Sequence, residues 1–118
     1  MERSSLDVVR GTLDVLILRA LFWGPQHGYA ISQWIREQTD EDLLVEEGAL
    51  YPALYRMEAK GWIQARWGLS ENNRRAKYYA LTAAGKQRLK QETATWERYT
   101  RAVSKILSAS QGPQPKRA

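Results

Sequence analysis

The sequence holds no cysteine, a single histidine and a single phenylalanine in 118 residues, and each scarcity removes a class of function. Without cysteine there is neither a disulfide framework nor a thiolate zinc site. His27 stands alone, so no histidine metal cluster can form, and nothing near it resembles a nucleophile or an orienting carboxylate. It reads as a structural histidine packing at a helix start. No apolar run reaches the ~18 residues of a membrane span. The opening residues also lack the basic-then-apolar layout of a signal peptide. Gly85-Lys86 lacks the rest of a Walker phosphate loop, and Asp40-Glu41-Asp42 lacks the alternation of a calcium loop. These gaps predict a soluble, cytoplasmic protein of one domain's length, with no cofactor, metal or enzymatic activity and no membrane partner.

What is present is charge sorted by sign. The net charge is +5, but residues 26–50 hold one basic and six acidic groups, residues 51–82 six and two, and residues 83–118 eight and two. Clustered cations favour a polyanion, because binding one releases its condensed counterions. The acidic stretch is expected to face away from a nucleic acid.

Apolar residues recur at helical spacing from about Asp7 to Phe22, and Gly24-Pro25 stops that pattern. A second helix is expected from Tyr29 to Gln38 with Ile31, Trp34 and Ile35 inward, then an acidic turn and a brief apolar segment, Leu43-Leu44-Val45. Residues 1–6 carry no pattern.

The third helix, Gly48 to Lys60, closes at Gly61 and places Leu50, Ala53, Leu54 and Met57 on one arc as its core face. The opposite arc holds Gly48, Pro52, Tyr55 and Ala59, flanked by Tyr51 and Arg56. Two strands follow, Trp62–Trp67 and Arg75–Leu81, joined by a loop in which Asn72-Asn73 suits a left-handed tip. Arg74, Arg75 and Lys77 cluster beside that tip. A helix with aromatic and basic outer positions followed by a basic hairpin is how a winged helix-turn-helix addresses DNA. The expected contacts are Gly48, Ala49, Tyr51, Pro52, Tyr55 and Arg56 on the helix, with Arg74, Arg75 and Lys77 on the wing.

The last helix is expected from Thr82 to Ser108. Leu89, Trp96 and Val103 recur every seven residues, as do Tyr99 and Ile106, leaving a narrow apolar stripe on a charged helix. If the first three helices and the hairpin form a closed set, this stripe is a seam with a second copy. Trp96, mid-seam, could pair with its twin around a planar aromatic small molecule. The fold class is therefore mainly α with a small β-hairpin: a winged helix-turn-helix over residues 1–82, a dimerisation helix over 83–108 and a disordered basic tail over 109–118.

These residues resemble the PadR family of bacterial transcriptional regulators. The resemblance runs through Gly11-Thr12-Leu13, His27-Gly28-Tyr29 and the run Glu47-Gly48-Ala49-Leu50-Tyr51-Pro52-Ala53-Leu54-Tyr55-Arg56-Met57-Glu58. It continues in Lys60-Gly61-Trp62-Ile63, Ser70-Glu71, Arg74-Arg75-Ala76-Lys77-Tyr78-Tyr79, Leu81-Thr82 and Gly85. The short helix after Gly85 is similar to the subgroup whose C-terminal part is one dimerisation helix. The resemblance implies a homodimeric repressor of inverted-repeat operators that responds to a small, often aromatic, compound. The family commonly carries Thr or Ser where this chain has Ala49, which puts more weight on Tyr51 and the wing. The rival reading is a winged-helix protein-interaction module that does not read DNA and docks through its acidic segment.

Overall fold

The helices of the N-terminal part end where local chemistry gives their last carbonyls a partner. The computed structural model describes residues 11–115. Helix α1, Leu13–Ala20, follows Gly11, whose φ of +90° interrupts any longer helix. The expected start near Asp7 is thus not met at Gly11, and residues 7–10 lie outside the described residues, as do Lys116 and Arg117 of the tail. A two-residue strand, β1 at Gln26–His27, leads into α2, Gly28–Gln38. There Nδ1 of His27 accepts from the Ala30 amide at 3.1 Å, capping the helix.

Helices α2 and α3 (Glu47–Ala59) end in the same way. Past α2, the Asp40 amide donates to Glu37 O at 3.3 Å and the Glu41 amide to Arg36 O at 2.9 Å. Past α3, Gly61 donates to Glu58 O at 3.0 Å and Trp62 to Met57 O at 3.1 Å. Both are Schellman closures, which require a left-handed residue. Gly61 supplies it at φ +79°, whereas Asp40 supplies it at φ +49° with a side chain attached. The Leu43–Val45 segment forms no strand beyond an isolated bridge at Leu43.

Strands β2 (Ile63–Leu69) and β3 (Arg75–Leu81) form the hairpin, with Ile63 opposite Leu81 and Leu69 opposite Arg75. β2 runs two residues further than the sequence suggests, leaving a tight tip. The Asn73 amide donates to Ser70 O at 2.9 Å, and Asn73 itself sits at φ +58°, the left-handed position a three-residue hairpin loop needs. The sheet has a third strand that the sequence did not reveal: β1 pairs with β3, giving the order β1-β3-β2. Two residues are too few to show a period of two.

The core arc expected for α3 is the one observed: Leu50, Ala53, Leu54 and Met57 are buried, packed with Ile17, Leu18, Ile31 and Ile35. Burying each of the larger side chains contributes about 1.5–3 kcal/mol at most. Helix α4, Ala83–Leu107, is clamped at its start. Thr82 Oγ1 accepts from the Gly85 amide at 3.0 Å and donates to Gly61 O at 2.6 Å. Gly85 is there for space, since a Cβ on it would stand 1.9 Å from the Trp62 carbonyl oxygen.

The heptad spacing puts Leu89 in a seam with a second copy, but the structure buries it in the chain's own core. The first three helices and the hairpin are not a closed set: α4 packs along α1, and its Leu89 completes their core. The 25-residue helix, ~37 Å long at 1.5 Å per residue, then carries the molecule to a longest dimension of 68 Å.

Candidate nucleic-acid interface

Helix α3 offers solvent the arc opposite its buried one. Gly48, Ala49, Tyr51, Pro52 and Tyr55 are all exposed, Tyr55 by 77%. Because the helix begins at Glu47, Pro52 is its sixth residue and lies beyond the first turn. Proline has no N–H, so the Gly48 carbonyl, four residues earlier on the exposed arc, gains no helical partner from it. Glu46 caps the helix without a side-chain bond and Glu47 opens it, both exposed. The end of the acidic stretch therefore stands at the start of this helix, where the macrodipole stabilises carboxylates.

Tyr51 is held by a glycine from another helix. A Cβ on Gly28 would lie 2.8 Å from the Tyr51 hydroxyl oxygen and 2.9 Å from its ring, so only a glycine lets the ring lie against the start of α2. The motifs His27-Gly28-Tyr29 and Leu50-Tyr51-Pro52 are thus two halves of one contact. His27 adds an edge-on contact to Tyr78 of β3, centroids 5.5 Å apart, tying the helix start to the wing.

Arg56 is placed differently from its expected role. Its guanidinium grips Asp14 of α1 through two bonds, Nη1 to Oδ2 at 2.7 Å and Nη2 to Oδ1 at 2.6 Å. That hydrogen bonding raises the Arg56 pKa above its usual value, with burial pulling the other way and the charge of Asp14 adding to the rise. Its charge is already matched, so the side chain fixes α3 to α1 and is not a free cation waiting for phosphate. The wheel gave the direction of Arg56 but not the identity of its neighbour.

On the wing the cations differ from one another. Lys77 Nζ lies 3.6 Å from Glu58 of α3, an ion pair that steadies the hairpin against the helix. Arg75 lies over the ring of Trp67 with its guanidinium carbon 4.5 Å from the centroid, a stacking partner that the sequence reading passed over. Arg74 is exposed at the tip, where its amide meets Ser70 Oγ at 3.3 Å. A single cleft gathers Tyr51 with Arg74, Arg75 and Lys77. Ala49, Pro52 and Tyr55 lie outside its walls. Tyr79, buried below, has its hydroxyl pKa raised by desolvation, with Lys77 pulling the other way.

Beyond Leu89, the stripe on α4 remains open. Trp96, Tyr99, Val103 and Ile106 are all exposed, Ile106 by 76%. The rings of Trp96 and Tyr99 stack at 5.9 Å. With Val15 of α1 and Thr12 just before that helix they border a hollow of about 280 Å³.

A family model described as "Transcriptional regulator PadR-like family" matches residues 17–91. A transcriptional regulator from Clostridium thermocellum is similar at 36% identity and a TM-score of 0.78, over 85% of this chain and 97% of that one. A PadR family transcription regulator from Clostridium difficile is similar at 32% identity and a TM-score of 0.72, over 83% and 100%. An uncharacterised protein of Lysinibacillus sphaericus is 36% identical over 90 residues, 76% of this chain and 83% of that protein. Family match, fold and exposed helix beside a basic wing agree: the chain belongs to the PadR-like family of transcriptional regulators.

Proposed function

We propose that this regulator is a cytoplasmic, homodimeric repressor that binds an inverted-repeat operator. The observation that supports it most is the gathering of Tyr51 with Arg74 and Arg75 on one side of the molecule, beside the exposed arc of α3. In this reading Gly48, Ala49, Tyr51, Pro52 and Tyr55 meet the major groove, and Arg74 and Arg75 follow the adjacent backbone. Lys77 contributes charge from its bridge to Glu58, and Arg56 acts by positioning the helix. Glu47 can only accept hydrogen bonds, so the base edges that suit it are those that donate, above all the amino group of cytosine. The winged unit spans residues 1–82, and the open stripe of Trp96, Tyr99, Val103 and Ile106 over 83–108 joins two copies. Their recognition helices would then address sites about one DNA turn, ~34 Å, apart. A planar aromatic effector held between paired Trp96 side chains would release the operator.

Footprinting and salt-dependent gel shifts on DNA upstream of the gene test this. Specific protection of a palindrome is expected, with a salt slope that flattens in the Arg74→Ala/Arg75→Ala variant. An unchanged slope would remove the wing from the interface. Absence of any specific protection would leave the protein-interaction reading in its place.

A further inference from the structure

On helix α4 the residues Gln87, Lys90, Ala94, Arg98, Arg101 and Lys105 follow one another at spacings of three and four, so they share one face, and all are exposed. Its cations, Lys90 to Lys105, spread over ~22 Å of helix at 1.5 Å per residue. None of them makes an ion pair among the described residues. Of the carboxylates on this helix, Glu92 is held by Arg88, which leaves Glu97 alone beside the ridge. The ridge lies on the side of α4 opposite Thr95, Trp96 and Tyr99, which border the hollow against α1. It therefore points away from α1, and pairing two copies through the apolar stripe leaves it open. Helix α3 is held on a different side of α1, where Asp14 meets Arg56.

We propose that this ridge binds the phosphate backbone of a second duplex, without regard to sequence, while α3 and the wing hold the operator. The face itself selects the partner. Its one apolar residue is Ala94, so it lacks the aromatic and aliphatic anchors on which protein interfaces depend. A helix lying on an anionic membrane needs an apolar face beside its basic one, and here the apolar stripe is on the far side and taken up by the seam. A row of unpaired cations suits a polyanion recognised by charge alone, where released counterions supply the free energy. A duplex seated on α3 and the wing lies beyond α1, so the ridge reaches a different segment. One dimer then joins two stretches of DNA. That consequence rests on the DNA-binding reading; the ridge itself does not.

The test uses a random-sequence duplex on beads, the full chain, and a dye-labelled copy of the same duplex in solution. The parent should capture the labelled duplex on the beads. Four phosphate contacts give a salt slope of about 3.6, so capture should weaken roughly a hundredfold between about 50 and 200 mM salt. In Arg98→Gln/Arg101→Gln/Lys105→Gln the chain should stay on the beads through α3 and the wing, while capture at low salt falls about tenfold or more. Glutamine keeps the helix propensity of the residues it replaces, and circular dichroism checks the fold. Arg98→Lys/Arg101→Lys should keep the capture, because charge alone is read. A chain held on the beads that captures no second duplex would overturn the proposal and leave the ridge a solvated face. Capture unmoved in the glutamine variant would overturn it too, and give the bridging to two winged units. Retention on polyglutamate or on phosphatidylserine vesicles without capture of DNA would assign the ridge to an acidic protein or a membrane instead, again against the proposal. Retention and capture lost together in the glutamine variant would keep the site but make it the chain's principal DNA surface, which refutes the proposed function. Absence of a protected palindrome bears on the proposed function alone, since this probe carries no operator.

Discussion

Asp14 and Arg56 offer a test of whether an arginine on the recognition helix serves the DNA or the fold. Both bonds are short and charge-assisted, and the Asp14 side chain is 19% exposed against 45% for Arg56. Hydrogen bonds to charged groups contribute about 1.5–3 kcal/mol each, whereas fully exposed ion pairs contribute about 0.2–1 kcal/mol. A half-exposed bidentate pair belongs between these limits, so a double-mutant cycle of Arg56→Ala and Asp14→Ala should return a coupling of about 1–2 kcal/mol. Urea denaturation at one fixed protein concentration measures it, since the stability of any chain that self-associates varies with concentration.

The DNA side of the same test is the salt slope. Each phosphate contact contributes about 0.9 to that slope, so an arginine touching phosphate in both subunits accounts for about 1.8. Arg56→Gln should leave the slope where it is, while Asp14→Asn, which frees the guanidinium, should leave it unchanged or steepen it. A coupling under about 0.3 kcal/mol, within the error of additive sites, together with a slope lowered by Arg56→Gln, would refute the assignment of Arg56 to α1.

Three further outcomes follow from particular contacts. Gly85→Ala must force α4 away from the Trp62 carbonyl; overpacking of this kind costs about 1–3 kcal/mol, read as a lowered urea midpoint. Gly28→Ala meets only the free end of the Tyr51 side chain, so it should spare the melting temperature yet weaken DNA binding as much as Tyr51→Ala does. Tyr79 is buried with its hydroxyl pKa raised, so the folded state keeps a proton that the unfolded chain gives up. Its stabilising effect is complete below about pH 10 and is lost as pH rises through the raised value, so Tyr79→Phe should lose less stability in alkali than the parent.

What was legible in the sequence was whatever repeats locally. The arc of Leu50, Ala53, Leu54 and Met57 recurs at helical spacing, and the structure buries it. The length of α4 and the left-handed tip at Asn73 followed from the same kind of local chemistry. The heptad stripe of α4 was visible but not its division. Leu89 and Trp96 look alike in spacing, and only the tertiary fold shows that the core takes in Leu89 and leaves most of the stripe beyond it open.

The candidate site was less legible because each of its parts is held by a residue far away in the chain. Asp14 holds Arg56 across 42 positions, Gly28 seats Tyr51, and Glu58 steadies Lys77. No helical wheel contains these pairs. They share a consequence: α3 is anchored to α1 through Asp14, to α2 through Gly28 and to the wing through Glu58, so its exposed arc cannot shift unless one of these contacts yields. Helix α1 is also the element against which α4 and Trp96 lie. A ligand that moved α4 would therefore press first on α1, and the Asp14–Arg56 pair links α1 to α3 beside their shared core. Strengthening or cutting that pair should change how far a signal at α4 reaches α3, even where it leaves DNA affinity in the absence of ligand unchanged.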